Sequence, residues 1–345
     1  MTTRPEQVGG NARGGTADLV TLVVPARNEE QALPGCLYSL LAQDWPNLEV
    51  LVVDGASTDN TAQVVLDIAA LDPRVRLIRN PQRIIPVSLN LALEAAKGRW
   101  LVRVDAHAVV PPDYVGIAVR HLATGSYGGV GGRKDGVGRT PAGRAIAATM
   151  KSRFGVGGST YHWGTTVRPV EHVPFGAYPV QLLRDIDGWD ESLRVNQDFE
   201  LDFRLRKLGH AILFDPAMGI DWECRQSVAA LYKQYKRYGG GKAIVAVKHP
   251  TSLRPRHLAA PGLVTTLLLL FLTSILQRNP KPFLLGLASY LMALTGATLL
   301  TARSLDREAR PYVAPAFIAM HLGWGTGFIG ANLRILYKLL RRKFG

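Results

Sequence analysis

The chain has 345 residues, 47% of them hydrophobic, with a formal net charge of +14 and only two cysteines. That length suffices for one large domain or two ordinary ones. The basic balance invites a nucleic-acid partner, but there is no zinc-finger spacing, no cluster of aromatics on a basic strand pair and no basic helix joined to a zipper, so none is expected. Cys36 and Cys224 belong to no Cys-x-x-Cys pair, which excludes a disulfide framework and a zinc-ribbon pattern.

Residues 1–17 are polar and glycine-rich and lack the apolar core of a secretory signal. They read as a disordered leader ahead of a domain that stays in the cytosol. Hydrophobic periodicity then alternates. A β-branched run at 19–24 predicts a strand, Pro25 to Glu30 a loop, and Leu33, Leu37, Leu40 and Leu41 one face of a helix. Strands follow at 48–53, 75–78 and 100–104, separated by helices at 58–70 and 86–96. This order predicts an α/β domain with a mostly parallel sheet and helices on both faces. From 125 to 158 the chain is glycine-rich and basic and is expected to form mobile loops around a site, with regular structure resuming near Phe175. Residues 198–208 read as a helix with Leu201, Leu205 and Leu208 on one face and Gly209 as its stop, which puts Asp198 in the first turn.

The last quarter changes character. Residues 258–276 and 283–302 are nearly uncharged apolar runs of about the length that crosses a hydrocarbon core. A third run, 312–333, contains His321 and is broken by Gly323, Gly325, Gly327 and Gly330. Three full crossings would put the basic tail, Arg334 to Lys343, on the side opposite the basic segment 242–257, against the positive-inside rule. The glycine-rich run is therefore expected to be re-entrant or interfacial, or the rule is broken here. Residues 335–344 alternate apolar and basic side chains like a helix lying on a membrane surface. The basic residues beside these runs suit anionic lipid headgroups.

Acidic residues stand where apolar runs end. Val53-Asp54-Gly55-Ala56-Ser57-Thr58-Asp59 and Val104-Asp105-Ala106-His107 follow strand-like runs, so Asp54 and Asp105 should meet at the carboxyl edge of one sheet, where open α/β folds bind ligands. Together with Pro25-Ala26-Arg27-Asn28-Glu29, Gly188-Trp189-Asp190-Glu191 and Gln197-Asp198-Phe199-Glu200-Leu201 with Arg204, they resemble the ordered signature of family 2 glycosyltransferases. Val104-Asp105-Ala106-His107 and Val173-Pro174-Phe175-Gly176-Ala177-Tyr178 resemble its succinoglycan-biosynthesis subgroup.

The resemblance implies a GT-A fold, a nucleotide-binding sandwich, that moves a sugar from a nucleotide-sugar donor to an acceptor hydroxyl with inversion. It implies that Pro25, Asn28, Glu29 and Asp54 surround the nucleoside and that Asp105 approaches ribose or phosphate. It also implies a divalent cation, Mn2+ or Mg2+, held by Asp105 and His107. Relatives commonly carry a second aspartate at the position of His107; imidazole favours manganese, and the other reading is that His107 caps a strand end. The family's base aligns with Asp198, whose place at a helix start also suits a plain capping role. Glu200 and Arg204 complete that motif. Gly55 stands where many relatives have another aspartate, which leaves the base preference open around an expected UDP-sugar. Gln234-Tyr235-Lys236-Arg237-Tyr238 is similar to the Gln-x-x-Arg-Trp segment of membrane-bound synthases, with Arg237 and Lys242 as candidates for the donor phosphates or for lipid headgroups. Trp163 and Trp189 are candidate sugar-stacking faces or core residues, and Asp59 a helix cap.

The expected organisation is a leader at 1–17, a GT-A catalytic domain at 18–242, a basic juxtamembrane segment at 243–257 and a membrane region at 258–345. The expected protein is a multi-pass cell-membrane enzyme, its catalytic domain on the cytoplasmic side, acting on a lipid-linked acceptor. Two alternatives share these features: a polyprenyl-phosphate sugar synthase, which needs no general base, and a noncatalytic membrane scaffold. A nucleotidyltransferase would carry a glycine-rich phosphate loop after the first strand, and Pro25 to Glu30 contains no glycine.

Overall fold

The computed structural model describes residues 17–344, so the leader, apart from Ala17, lies outside the described residues. Its first half follows the expected alternation: β1 (Val20–Ala26), α1 (Leu33–Leu41), β2 (Leu48–Asp54), α2 (Thr61–Leu71), β3 (Val75–Arg79), α3 (Ile85–Ala95) and β4 (Trp100–Arg103). These strands pair in parallel in the order β3-β2-β1-β4, with Val20 opposite both Leu48 and Trp100. β1 and β2 are buried along nearly their whole length, as their continuous apolar runs require in a sheet covered on both faces.

After β5 (Ala108–Val109) and α4 (Tyr114–Leu122), the segment expected to be mobile loops is instead structured. It forms β6 (Tyr127–Gly131), β7 (Lys134–Val137), α5 (Pro141–Lys151) and the short α6 (Arg153–Val156). Most of its glycines serve close approach, while Gly125 and Gly157 supply positive φ. A Cβ at Gly129 would lie 2.7 Å from the Tyr178 ring, and one at Gly132 only 1.7 Å from the Met218 carbonyl oxygen.

The chain continues through β8 (Arg168–Val170), β9 (Ala177–Pro179), α7 (Val180–Asp185), α8 (Gln197–Lys207), β10 (Ala211–Phe214) and β11 (Ile220–Glu223). The large sheet has eight strands in the order β3-β2-β1-β4-β9-β6-β10-β8, with β9 antiparallel to β4 and β6. A small sheet, β5-β11-β7, stands beside it. In α8 the acids Asp198 and Glu200 occupy the first turn and Arg204, Arg206 and Lys207 the last, the charge order that complements the helix dipole.

Four long helices end the chain: α9 (Val228–Lys248), α10 (Pro255–Leu276), α11 (Lys281–Ala302) and α12 (Val313–Phe344). The last three segments are long and apolar enough to cross a membrane. α10 and α11 are almost bare, with 6% of each apolar window buried, whereas half of the window in α12 is covered. The glycine-rich run is thus no re-entrant loop but part of one continuous helix. Two of its glycines seat it backbone to backbone on α9: a Cβ at Gly327 would lie 2.0 Å from the Lys236 carbonyl oxygen and one at Gly323 2.8 Å from that of Tyr232, while from the α9 side one at Gly239 would lie 2.1 Å from that of Trp324. Small residues at such contacts are the usual device for close helix packing in membrane proteins.

Candidate active site

The carboxyl ends of β1, β2 and β4 bring the first motifs together. Asn28, at a positive φ of 55°, accepts the Thr58 N–H at 2.8 Å and donates its own N–H to Ser57 Oγ at 2.9 Å. Asp54 is buried, accepts the Ser57 N–H at 3.1 Å and faces Arg79 at 3.8 Å. These two residues therefore shape the loops, and the neighbouring Pro25, Glu29 and Gly55 form the actual cavity wall. Asp59 is not the N-cap of α2, which is Asn60; it stands one residue earlier, accepts the Thr61 N–H at 3.0 Å and the Glu30 N–H at 3.3 Å, and so ties the first loop to the head of the helix.

At the centre stands a residue the sequence reading passed over. Arg103, the last residue of β4 and 3% exposed, donates through Nη1 to both carboxylate oxygens of Asp198 and through Nη2 to Asp105 at 2.9 Å. Burial alone would raise the Asp105 carboxyl, but the guanidinium and the nearby His107 and Lys134 hold it below the usual range. His107 Nδ1 lies 3.1 Å from Glu29 Oε1. Burial disfavours its charged form, yet the Glu29 bond and the Asp105 charge bring its pKa above the ordinary histidine value.

Trp189 is 1% exposed and lies off the cavity wall, so it is no stacking face for a sugar. It packs edge-on against Tyr178 and donates its indole N–H to Asp198 at 3.2 Å, which orients the carboxylate. Glu200 and Arg204 also stand behind the wall. Glu200 binds Arg204 Nε and His249, both at 2.9 Å, and Arg204 donates to the carbonyls of Ile186 (2.6 Å) and Gly188 (2.5 Å), fixing the loop that carries Trp189.

α9 supplies a further wall. Gln234 is buried, donates to the Tyr238 hydroxyl at 3.1 Å and leaves its Oε1 without a donor, a free acceptor beside the cavity. Arg237 is exposed on the same wall. Lys242 is not free as the phosphate reading requires: it is 2% exposed, donates to Ser252 O at 3.1 Å and to Ser252 Oγ at 3.3 Å, and lies 3.5 Å from the Phe199 ring centroid. Burial first, and Arg256 next, push its pKa down to about 7.

All these walls enclose one cavity of about 1150 Å3. It runs from Pro25, Glu29, Asp105 and Asp198 past α9 to Ala259 and Leu263 of α10, Tyr290 of α11 and Trp324 of α12. Among the described residues no three His, Cys, Asp or Glu side chains converge to hold a metal ion. Asp105 and His107 offer two ligands, both already engaged by protein partners. This donor set fits a cation that arrives with diphosphate oxygens as its other ligands, and does not fit a resident ion.

Residues 21–186 match the family model described as glycosyl transferase family 2. The chain is 30% identical over 315 residues to the succinoglycan biosynthesis protein ExoA of Rhizobium meliloti, covering 89% of this chain and 93% of that protein. A dolichyl N-acetyl-alpha-D-glucosaminyl phosphate 3-beta-D-2,3-diacetamido-2,3-dideoxy-beta-D-glucuronosyltransferase of Methanococcus voltae is 24% identical over 241 residues, 67% of this chain and 75% of that one. Among solved structures, the mannosyltransferase PcManGT of Pyrobaculum calidifontis, in complex with GDP-Man and Mn2+, superposes with a TM-score of 0.57 at 23% identity, covering 92% of this chain and 87% of that one. The sheet order, the acid-bearing strand ends and the near full-length match agree: the chain belongs to glycosyltransferase family 2 and has the GT-A-type fold.

Proposed function

We propose that this glycosyltransferase is embedded in a membrane and moves a sugar, with inversion, from a nucleoside diphosphate sugar to a lipid-linked saccharide in the assembly of a polysaccharide or glycolipid. The observation that carries the reading is the single cavity whose wall includes both Asp105 and Asp198 and side chains of all three apolar helices. An acceptor anchored in lipid can reach the reacting carbon only where site and membrane segments share a wall.

In this reading Pro25 and Glu29 contact the nucleoside, in loops held by Asn28 and Asp54, and Arg237 faces the phosphates. The acceptor hydroxyl gives its proton to the Asp198 carboxylate while its oxygen attacks the anomeric carbon. The new C–O bond forms on the face opposite the old one, which breaks with its electron pair leaving on the nucleoside diphosphate. A divalent cation held by Asp105 and His107 would neutralise charge on that diphosphate; manganese suits the imidazole, and UDP is the expected nucleotide.

The catalytic domain belongs on the cytoplasmic face with α10 and α11 as a two-crossing hairpin. Both feet of the hairpin are tied to the domain: Arg254 pairs with Glu171 at 2.8 Å, and Asp306 pairs with Arg144 at 2.8 Å. Two crossings return Arg303, Arg307, Arg310 and the basic tail to the side of Arg254 and Arg256, as the positive-inside rule asks.

A second reading, transfer to a polyprenyl phosphate oxygen, is favoured by one observation: Arg103 occupies both oxygens of Asp198, the group that would serve as base. A phosphate acceptor needs no base. The test is transfer by full-length protein in nanodiscs, with a panel of nucleotide sugars and manganese, magnesium or chelator, against a membrane lipid extract. Transfer to a lipid-linked saccharide supports the first reading and to the bare lipid phosphate the second; folded protein that neither binds nor turns over any donor overturns both.

A further inference from the structure

We infer that Lys134 is a second fixed cation for the donor's diphosphate, acting on the oxygens that gain charge as the sugar departs. This rests on the nucleotide-sugar reading above. The small sheet brings the relevant groups together: β11 runs parallel to β7 with Ile220 opposite Lys134, and antiparallel to β5 with Trp222 opposite Ala108, the residue after His107. Lys134, Trp222 and His107 accordingly line one wall with Asp105.

The lysine there has no anion of its own. Its Nζ lies 3.5 Å from the Trp222 ring centroid and 4.9 Å from that of Phe175, and no oxygen of the described residues accepts a hydrogen bond from it. Aromatic faces attract an ammonium but leave its three N–H donors unused. The nearby acids are committed elsewhere. Asp105 and Asp198 are both bound by Arg103. Asp135, the next residue of the strand, points to the other face by the alternation of a β-strand and is bound by Arg133 at 2.7 Å and Lys151 at 3.4 Å. Beside the lysine, Trp222 Nε1 is buried without any acceptor. An ammonium without an anion on the wall that holds Asp105 and His107, with the buried and unpartnered Trp222 indole N–H beside it, suits an oxygen-rich anionic ligand.

The test uses full-length protein in nanodiscs and calorimetric binding in EDTA, so that no divalent ion contributes. The ligands are UDP or GDP, whichever the wild type binds, and the matching monophosphate. The wild type should prefer the diphosphate; Lys134→Met and Lys134→Gln should each lose about tenfold to a hundredfold of diphosphate affinity, the scale of a lost charge-assisted hydrogen bond, with monophosphate affinity unchanged. Lys134→Arg should restore most of it. Unchanged diphosphate affinity in both neutral variants, or equal loss of both ligands, overturns the role of Lys134 while leaving the nucleotide-sugar reading intact. A folded wild type that binds neither diphosphate in EDTA overturns the role of Lys134, and one that also binds neither with manganese added overturns the nucleotide-sugar reading.

Discussion

The seat of α12 on α9 makes a sharp prediction about two glycines three residues apart. In Gly327→Ala the new methyl would fall 2.0 Å from the Lys236 carbonyl oxygen and 2.8 Å from its carbon, both backbone atoms that cannot turn aside. A carbon normally stays about 3.3 Å or more from such an oxygen, so the helices must part by roughly 1.3 Å. Overpacking of this kind costs about 1–3 kcal/mol, against about 0.5–1 kcal/mol gained from replacing glycine in a helix. Gly330→Ala meets no atom within 4 Å and should show only the gain. Thermal melts in detergent, followed by the fluorescence of the adjacent Trp324, should place Gly327→Ala several degrees below wild type and Gly330→Ala at or above it. Because α9 also carries Gln234, Arg237 and Tyr238 on the cavity wall, transfer should fall in the first variant and not in the second. Equal melting temperatures for the two variants would refute the contact as the reason for these glycines.

Three further outcomes follow from the site and the membrane segments. Asp198→Asn should abolish transfer to a saccharide hydroxyl while donor affinity stays near wild type, and near-normal turnover would remove Asp198 as the base. Lys242 has its pKa lowered from 10.5 to about 7, so the neutral form is favoured in the folded state and the associated stability, complete above the ordinary lysine value, is lost as pH falls through about 7. Lys242→Met should therefore melt higher than wild type at pH 7 and flatten the decline between pH 10 and 7, with diphosphate affinity within about threefold of wild type, since replacing a buried charge by an apolar group is often neutral or stabilising; a lower melting temperature at pH 7 would contradict this. Finally, Lys338→Cys in the tail should react with a membrane-impermeant thiol reagent only after the membrane is opened, and labelling from outside intact cells would reject the two-crossing hairpin.

The sequence was most legible where one physical signal dominated. β1, β2 and β4 announce themselves because a strand covered on both faces must be apolar throughout, and α8 because its leucines recur at helical spacing. The same logic misread residues 125–158. Glycine in a strand usually weakens it, yet in β6 the missing side chains make room for Tyr178, so a buried strand carried the composition of a loop. The glycines of α12 misled in a parallel way: read along the chain they interrupt a hydrophobic run, whereas in space Gly323 and Gly327 are the surface on which α9 rests and Gly325 is the contact with α10.

The site divides along the same line. Asp105, His107 and Asp198 were visible because each stands where a strand or helix pattern breaks, but Arg103 closes an apolar strand, and of the two acids that pair with it Asp198 is 95 positions away. A lone basic residue in such a strand is costly unless paired, so its presence was itself a signal that an acid had to lie opposite. Lys134 gave no such signal, because in sequence it is one cation among many in a glycine-rich stretch. What distinguishes it is that every neighbouring acid already has a partner, a relation that exists only once β5, β7 and β11 lie side by side. Pairing along the chain can thus be anticipated from periodicity, whereas the absence of pairing, which marks a group waiting for a ligand, can be recognised only in the folded arrangement.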